Sequence, residues 1–478
     1  MDIGIETAVE RGRAAFAQGD HAAAEGHFQN ALAAGHDDAE LHHHMGYLAR
    51  ERGDFDLAAT HYVAALRHTP SDPHLLNNLG EARRAQGLLA EAVALFGRAR
   101  TLLPDVASVA INLGAALLAL GRPDLALPHL EHAVALEPGH PGALAEQAAC
   151  LCSLNRYQDA VAVYRQTYRL HPAANEARYL EALALLALGD FENGWRKHEV
   201  RWYSRLGEEQ RRVAPGPYWL GDDALTGRTI LVHAEQGYGD TIQFLRYRPL
   251  LQQRAGRVIL EVPPLLKPLL AGTEDVFARG ETLPAYDTHC SFMSLPRAFR
   301  TKLTTVPASV PYLTVPPDRL AAWRARLGSG DGRRRVAVAW TGTSAIWNRS
   351  IPLRLLAPLF ARPDCEFHVV QTNMEVGDHD FLRGIPHVID HSAALADFAD
   401  SAAIVALMDQ VITVDTALAH VGGALARPTW IMLPFGADYR WLTNGSTTAW
   451  YPTVRLFRQP ALRAWPQVLT AIDHALSA

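Results

Sequence analysis

Three short segments of this chain carry side chains whose type and spacing suit chemistry. Gln236-Gly237-Tyr238-Gly239-Asp240-Thr241 follows an apolar run and opens a helical one through Ile242, Phe244, Leu245 and Tyr247. Gly237 and Gly239 let a ligand approach the backbone. Asp240, at a helix start, suits either of two roles: capping that helix, or acting as a general base toward a ligand. In Val411-Ile412-Thr413-Val414-Asp415-Thr416-Ala417-Leu418-Ala419-His420 an apolar strand ends and a helix begins. Its amides from Thr416 to Ala419 suit a diphosphate, with the Thr416 hydroxyl and His420 adding donors one turn apart; Asp415 and Thr416 equally suit plain capping. Trp340-Thr341-Gly342-Thr343 with Asn348-Arg349-Ser350 is a third strand end and polar loop. There Arg349 is either a solvated charge or the counter-charge of a departing nucleotide.

Other chemistries fall away. The chain has no GxxxxGK[ST] phosphate loop, no HExxH and no GxSxG elbow, and the third glycine of a dinucleotide fingerprint is missing after Gly239. Asp378-His379-Asp380 spells a DxD, but it follows Gly377 in a polar loop and reads as a solvated turn. His42, His43 and His44 sit in one helix and point in different directions. No metal site is expected.

The elements that position these segments follow from periodicity. Gly19, Gly53, Gly87, Gly121, Asn155 and Gly189 recur every 34 residues, the tetratricopeptide period. Gly12, Gly46, Gly80 and Gly114 keep the same phase, followed by Ala148 and Ala182. So do a small column (Ala24, Ala58, Ala92, Ala126, Ala160) and a large one (Phe28, Tyr62, Phe96, Leu130, Tyr164). Knobs and holes are thus supplied separately. Pro70, Pro104, Pro138 and Pro172 end successive helix pairs. In the sixth unit Gly194, His198 and Arg201 replace the expected Ala, aromatic and Ala, so this unit reads as an adaptor. Beyond it, strand-like runs at 229–234, 257–262, 335–340, 367–371, 411–414 and 428–433 alternate with helical ones, several continuously apolar as buried parallel strands are. The expected architecture is α plus α/β: 1–205 as five regular repeats and one degenerate unit, then α/β lobes at 206–320 and 321–478, divided at the proline-rich 306–317 stretch.

The 478 residues and net charge of −5 favour two or three compact units with no general attraction to nucleic acid or anionic lipid. No stretch suits a membrane span, and the N-terminal residues do not read as a signal peptide. Four scattered cysteines make no disulfide framework, so a reducing cytoplasm is the expected location.

Glu235-Gln236-Gly237-Tyr238-Gly239-Asp240, Trp340-Thr341-Gly342, Asn348-Arg349-Ser350 and Asp415-Thr416-Ala417-Leu418-Ala419-His420, extended by Leu425 and Pro428, resemble the heptosyltransferase-like glycosyltransferase family nine. The resemblance covers about residues 229–460. With the repeats and the Trp450-Tyr451-Pro452 to Arg458-Gln459 block, the chain is similar to bacterial tetratricopeptide-containing glycosyltransferases, flagellin-modifying ones among them.

The resemblance implies a GT-B fold of two Rossmann-like lobes, inverting transfer from a nucleotide-sugar, and no metal or other cofactor. It places Asp240 as the base that deprotonates the acceptor hydroxyl. Gly237, Gly239, Thr341, Gly342, Arg349, Gln371, Asp415, Thr416 and His420 fall on the donor side. His44, Asn78 and Asn112, one repeat apart, resemble the asparagine ladder with which O-linked N-acetylglucosamine transferases grip an extended peptide. They are either the expected protein- or peptide-acceptor contacts or, at the asparagines before Leu-Gly, simply residues the repeat tolerates. Two alternatives stand beside this: a lipopolysaccharide or other glycan transferase whose repeats hold an assembly partner, and a non-catalytic protein-binding scaffold.

Overall fold

The computed structural model describes residues 2–205, 214–342 and 349–477. Thr343, Asn348 and the expected lobe start at 206 lie outside them. The chain divides into two compact units, Met1–Leu151 and Cys152–Ala478.

The first unit is a stack of helix pairs: α1 (Asp2–Ala17) with α2 (His21–Ala33), α3 (Ala39–Glu51) with α4 (Phe55–His68), α5 (Pro73–Ala85) with α6 (Leu89–Leu102), α7 (Ala107–Ala119) with α8 (Pro123–Leu136), and then α9 (Pro141–Ser153). The phase columns have a direct steric meaning. A Cβ added at Gly12, Gly46, Gly80 or Gly114 would come within 2.5, 2.7, 2.7 and 2.5 Å of Phe28, Tyr62, Phe96 and Leu130. Each large residue of a second helix therefore fills the hole left by a glycine of the first. The four large side chains are fully buried, each worth roughly 1.5–3 kcal/mol. The turn column takes left-handed backbone throughout, with φ of 77, 78, 79, 71 and 83° at the glycines and 59° at Asn155, which is why only Asn replaces Gly there.

The second unit begins with α10 (Tyr157–Leu170), α11 (Asn175–Ala187) and α12 (Phe191–His198). It continues into two all-parallel sheets. The first runs β3-β2-β1-β4, from β1 (Thr229–His233), β2 (Arg257–Val262), β3 (Val276–Ala278) and β4 (Thr288–Ser291). The second runs β10-β9-β8-β5-β6-β7, from β5 (Arg334–Ala339), β6 (Cys365–Val369), β7 (Val388–Asp390), β8 (Gln410–Val414), β9 (Thr429–Leu433) and β10 (Val454–Arg458). In chain order the second is 3-2-1-4-5-6, a doubly wound order, and the first is its 3-2-1-4 portion. The core of the second sheet joins Val336, Val338, Phe367, Ile412 and Met432 to Phe457, Trp465 and Ile472. The Pro317–Leu327 helix docks on the Phe398–Ala406 helix, where Arg319 and Trp323 both donate to the Asp400 carboxylate.

Candidate functional site

In an open parallel sheet, ligands collect beyond the carboxyl ends of the strands where the winding reverses. Here the reversals fall between β1 and β4 and between β5 and β8. Nine of the ten catalytic and donor residues expected from sequence lie just beyond β1, β5 or β8; the tenth, Gln371, lies beyond β6.

After β1 the chain turns through Glu235 and Gln236 into the Tyr238–Phe244 helix, with Gly237 as N-cap. Asp240 is the third helical residue, and its Oδ2 accepts from the Gly237 amide at 2.9 Å. The capping role is therefore filled. Gly239 has a separate necessity: a Cβ there would lie 2.9 Å from Cδ2 of His420, so its absence lets this helix meet the Ala417–Ala424 helix.

Beyond β8, Thr416 is the N-cap of the Ala417–Ala424 helix, yet its side chain makes no capping bond. Its hydroxyl is 3.2 Å from that of Thr413. His420 is buried, its Nδ1 is 2.8 Å from the Tyr451 hydroxyl, and its ring stacks on Trp441. Burial, reinforced by Arg440, Arg246 and Arg349, holds its pKa well below the usual imidazole value, so it is neutral. Asp415 is pushed the other way, up to about 6, by burial and then by Asp438, against the pull of Arg349 and Arg440. Arg349 Nη1 lies 3.8 Å from Asp415 Oδ2. Its Nε has no hydrogen-bond partner among the described residues.

The loop after β5 is held from β6. Gln371 Oε1 accepts from the amides of Trp340 at 2.9 Å and Thr341 at 3.3 Å, while its Nε2 donates to the Asn373 carbonyl. Gln371 thus uses its amide to shape the loop. Ser350 Oγ is 3.0 Å from Thr341 Oγ1 and accepts from the Gly342 amide at 3.2 Å. A Cβ on Gly342 would fall on the Arg349 guanidinium, 2.5 Å from Nε, so this glycine lets Arg349 fold back toward Asp415.

The centre of the constellation is a residue that the sequence reading passes over. Arg440 follows β9 and spreads its fork over three partners: Nε donates to Gln243 Oε1 at 2.8 Å, Nη1 to Asp438 Oδ1 at 2.8 Å, and Nη2 to Asp240 Oδ1. It ties Asp240, beside the first sheet, to the strand-end loops of the second. Arg246 makes a parallel link, donating to the Trp450 carbonyl at 2.6 Å and the Gln243 carbonyl at 2.7 Å. Arg440 was findable, because it lies past a strand neighbouring β8.

The repeat residues belong to the first compact unit. Asn78 Nδ2 donates to His43 Nε2 at 3.2 Å; Asn112 Nδ2 donates to Asn77 Oδ1 at 3.0 Å and Glu81 Oε1 at 3.1 Å. The two asparagines therefore make equivalent bonds one repeat apart. His44 behaves differently: its Nδ1 donates to the Glu40 carbonyl, and its ring packs 4.7 Å from Phe16 and 5.2 Å from Phe28. Glu146, one period beyond Asn112, continues the column; burial raises its pKa above the usual carboxylate value. Among the described residues no group of three or more His, Cys, Asp or Glu is arranged to hold a metal ion, and no helix is long and apolar enough to cross a membrane.

The N-terminal region is built of tetratricopeptide repeats, as models of that repeat match residues 6–30, 43–107 and 105–173; parallel α/β sheets follow it. The chain is similar to Protein FlbA of Caulobacter vibrioides, 26% identical over 334 residues, covering 63% of this chain and 54% of FlbA. It thus spans about half the length of that curated relative. Among solved structures, similar chains include YrrB, described as a tetratricopeptide protein with an unusual peptide-binding site (21% identity, 36% of this chain and 89% of that one, TM-score 0.33). PilF of Pseudomonas aeruginosa is another (21% identity, 41% and 89%, TM-score 0.35).

Proposed function

We propose that the chain is an inverting glycosyltransferase of the two-lobed GT-B class, which moves a sugar from a nucleotide-sugar to a hydroxyl of a protein recruited by the repeats, a flagellin Ser or Thr being one such acceptor. One observation carries the reading. The carboxyl ends of the central strands of two doubly wound sheets meet, bringing Asp240 together with Arg440, Asp415, Thr416, His420 and Arg349.

In this reading the amides after Thr416 and the guanidinium of Arg349 receive the charge that grows on the departing phosphate. Asp240 takes the proton of the acceptor hydroxyl as that oxygen attacks the anomeric carbon. Asp240 Oδ2 already holds the Gly237 amide and Oδ1 holds Arg440. The acceptor hydroxyl takes the place of Arg440 at Oδ1 when the guanidinium turns toward the donor phosphates.

A thermal-shift panel of nucleoside diphosphates, cytidine monophosphate and their sugars tests the donor half, since a ligand specific to the native state stabilises by mass action. A flat panel removes the transferase reading in favour of the scaffold. A second reading, a glycan acceptor with the repeats holding an assembly partner, is favoured by one observation: the amide groups of Asn78 and Asn112 already bond between repeats.

A further inference from the structure

In the first four repeats one position in the last turn of the second helix is alanine: Ala31, Ala65, Ala99 and Ala133, all with no exposed surface. In the sixth the same phase holds Arg201, which is 1% exposed. A guanidinium at a position of buried alanines needs partners for all its N–H groups. They are present. Nε donates to Glu235 Oε1 at 2.7 Å and Nη2 to Glu235 Oε2 at 3.0 Å, the two-point grip that planar guanidinium and carboxylate favour. Nη2 also donates to Ser294 Oγ at 2.7 Å, and Nη1 to Glu199 Oε1 at 3.0 Å and to the His198 carbonyl at 3.3 Å.

Glu235 is the residue at which the chain leaves β1 for the turn that carries Asp240. Beside it, Tyr179, from α11, sets its hydroxyl against the Gln236 side chain. The opposite loop is held in the same way. Tyr157 donates its hydroxyl to the Ala437 carbonyl at 2.6 Å, and Asn155 Nδ2 donates to the Thr443 carbonyl at 3.1 Å. A Cβ on Gly436 would stand 2.7 Å from the Cys152 carbonyl oxygen. Asp438 and Arg440 lie between these anchors.

We propose that residues 152–203 are a positioning element of the site, setting the turn that carries Asp240 through Arg201 and Glu235, and the loop that carries Arg440 through Tyr157 and Ala437. This rests on the transferase reading only for its catalytic consequence. Tertiary contacts that fix a reacting group matter because a displacement of about 1 Å can cost roughly 100-fold in rate.

The test uses the full chain with R201K, which keeps the charge and loses the fork, E235Q, which keeps shape and one acceptor, and Y157F. Backbone hydrogen exchange followed by mass spectrometry is expected to show about tenfold faster exchange at 236–240 in R201K and E235Q, and at 436–441 in Y157F, with 230–232 unchanged. Turnover is expected to fall roughly 100-fold in R201K while the donor KM stays within about threefold. Adding E235Q to R201K should cost little more, because both act through one contact. Folded variants with wild-type exchange in these loops overturn the proposal. So does faster exchange confined to the variant that loses its fold. Absence of transfer by the wild-type chain sinks the transferase reading instead, and the exchange measurement still decides whether Arg201 and Tyr157 hold the loops.

Discussion

Replacing Asp415 by Asn should make the folded protein more stable at neutral pH while removing its use to a donor. The carboxyl is buried, and its pKa is displaced from 3.8 to about 6 by burial first and Asp438 second. Below pH 3.8 the group is protonated in both folded and unfolded chains. Between 3.8 and about 6 only the folded chain holds the proton, and above about 6 both are ionised, with the folded state bearing the cost of a buried charge. The favourable contribution of the raised pKa is therefore complete below the unfolded value and is lost as pH rises through about 6. At about 1.4 kcal/mol per pKa unit the loss is on the order of 3 kcal/mol. Asn reproduces the neutral shape and has no such loss. Its effect on the arginines is small: Arg440 keeps Asp240 and Asp438, and the Arg349 side chain is 19% exposed and reaches water. The measurement is the denaturation midpoint of D415N against wild type from pH 4 to pH 8, followed by fluorescence. The difference should grow in favour of the variant from about pH 4 to about pH 6, between the unfolded and folded values, and level off above it. A difference independent of pH, or a variant less stable at pH 8, would refute the argument from burial.

D240N should lower turnover by at least about 100-fold while the stabilisation by the nucleotide-sugar persists; wild-type turnover removes the base assignment. D415A, by contrast, should lose donor stabilisation in the same thermal panel. In the repeats, G46A drives a methyl group to 2.7 Å from the Tyr62 ring and should cost about 1–3 kcal/mol; calorimetry that finds the first unit unchanged contradicts the knob-and-hole account. The double variant N78A/N112A should raise KM for a protein acceptor roughly tenfold, a loss of about 1.4 kcal/mol of binding, and leave transfer to a small hydroxyl acceptor unchanged. Unaltered KM favours a glycan acceptor.

What was legible in the sequence divides along physical lines. The repeat columns were readable because each encodes a steric pair within 16 residues, such as Gly46 with Tyr62 or Gly80 with Phe96. The six expected strands all form, within two residues at either end, because they are apolar runs buried on both faces. Four more were invisible for reasons particular to each. β3 and β7 have three residues apiece, too short for any period. β4 is Thr288-His289-Cys290-Ser291, polar by type and buried only because Tyr218 and Pro217 cover it with hydrogen bonds. β10, Val454 to Arg458, is an edge strand of five residues whose apolar run is broken by Arg455.

The site follows the same rule at longer range. Asp240, Asp415 and His420 were visible because strand-then-helix turns mark where ligands meet an α/β sheet. What Asp240 does with its oxygens depends on Arg440, 200 residues away, and no local pattern can carry that. Arg201 is the intermediate case. Its departure from a column of alanines is legible and reads as the fading of a repeat, whereas its burial gives it a different physical meaning. A surface arginine costs a helix nothing, but one placed among buried alanines is tolerable only if every donor finds an acceptor, and the acceptors here are Glu235, Ser294, Glu199 and the His198 carbonyl. A broken repeat position that is both charged and buried therefore points outward from the repeat, to the structure that must supply the opposite charge. Here that is the turn that carries Asp240.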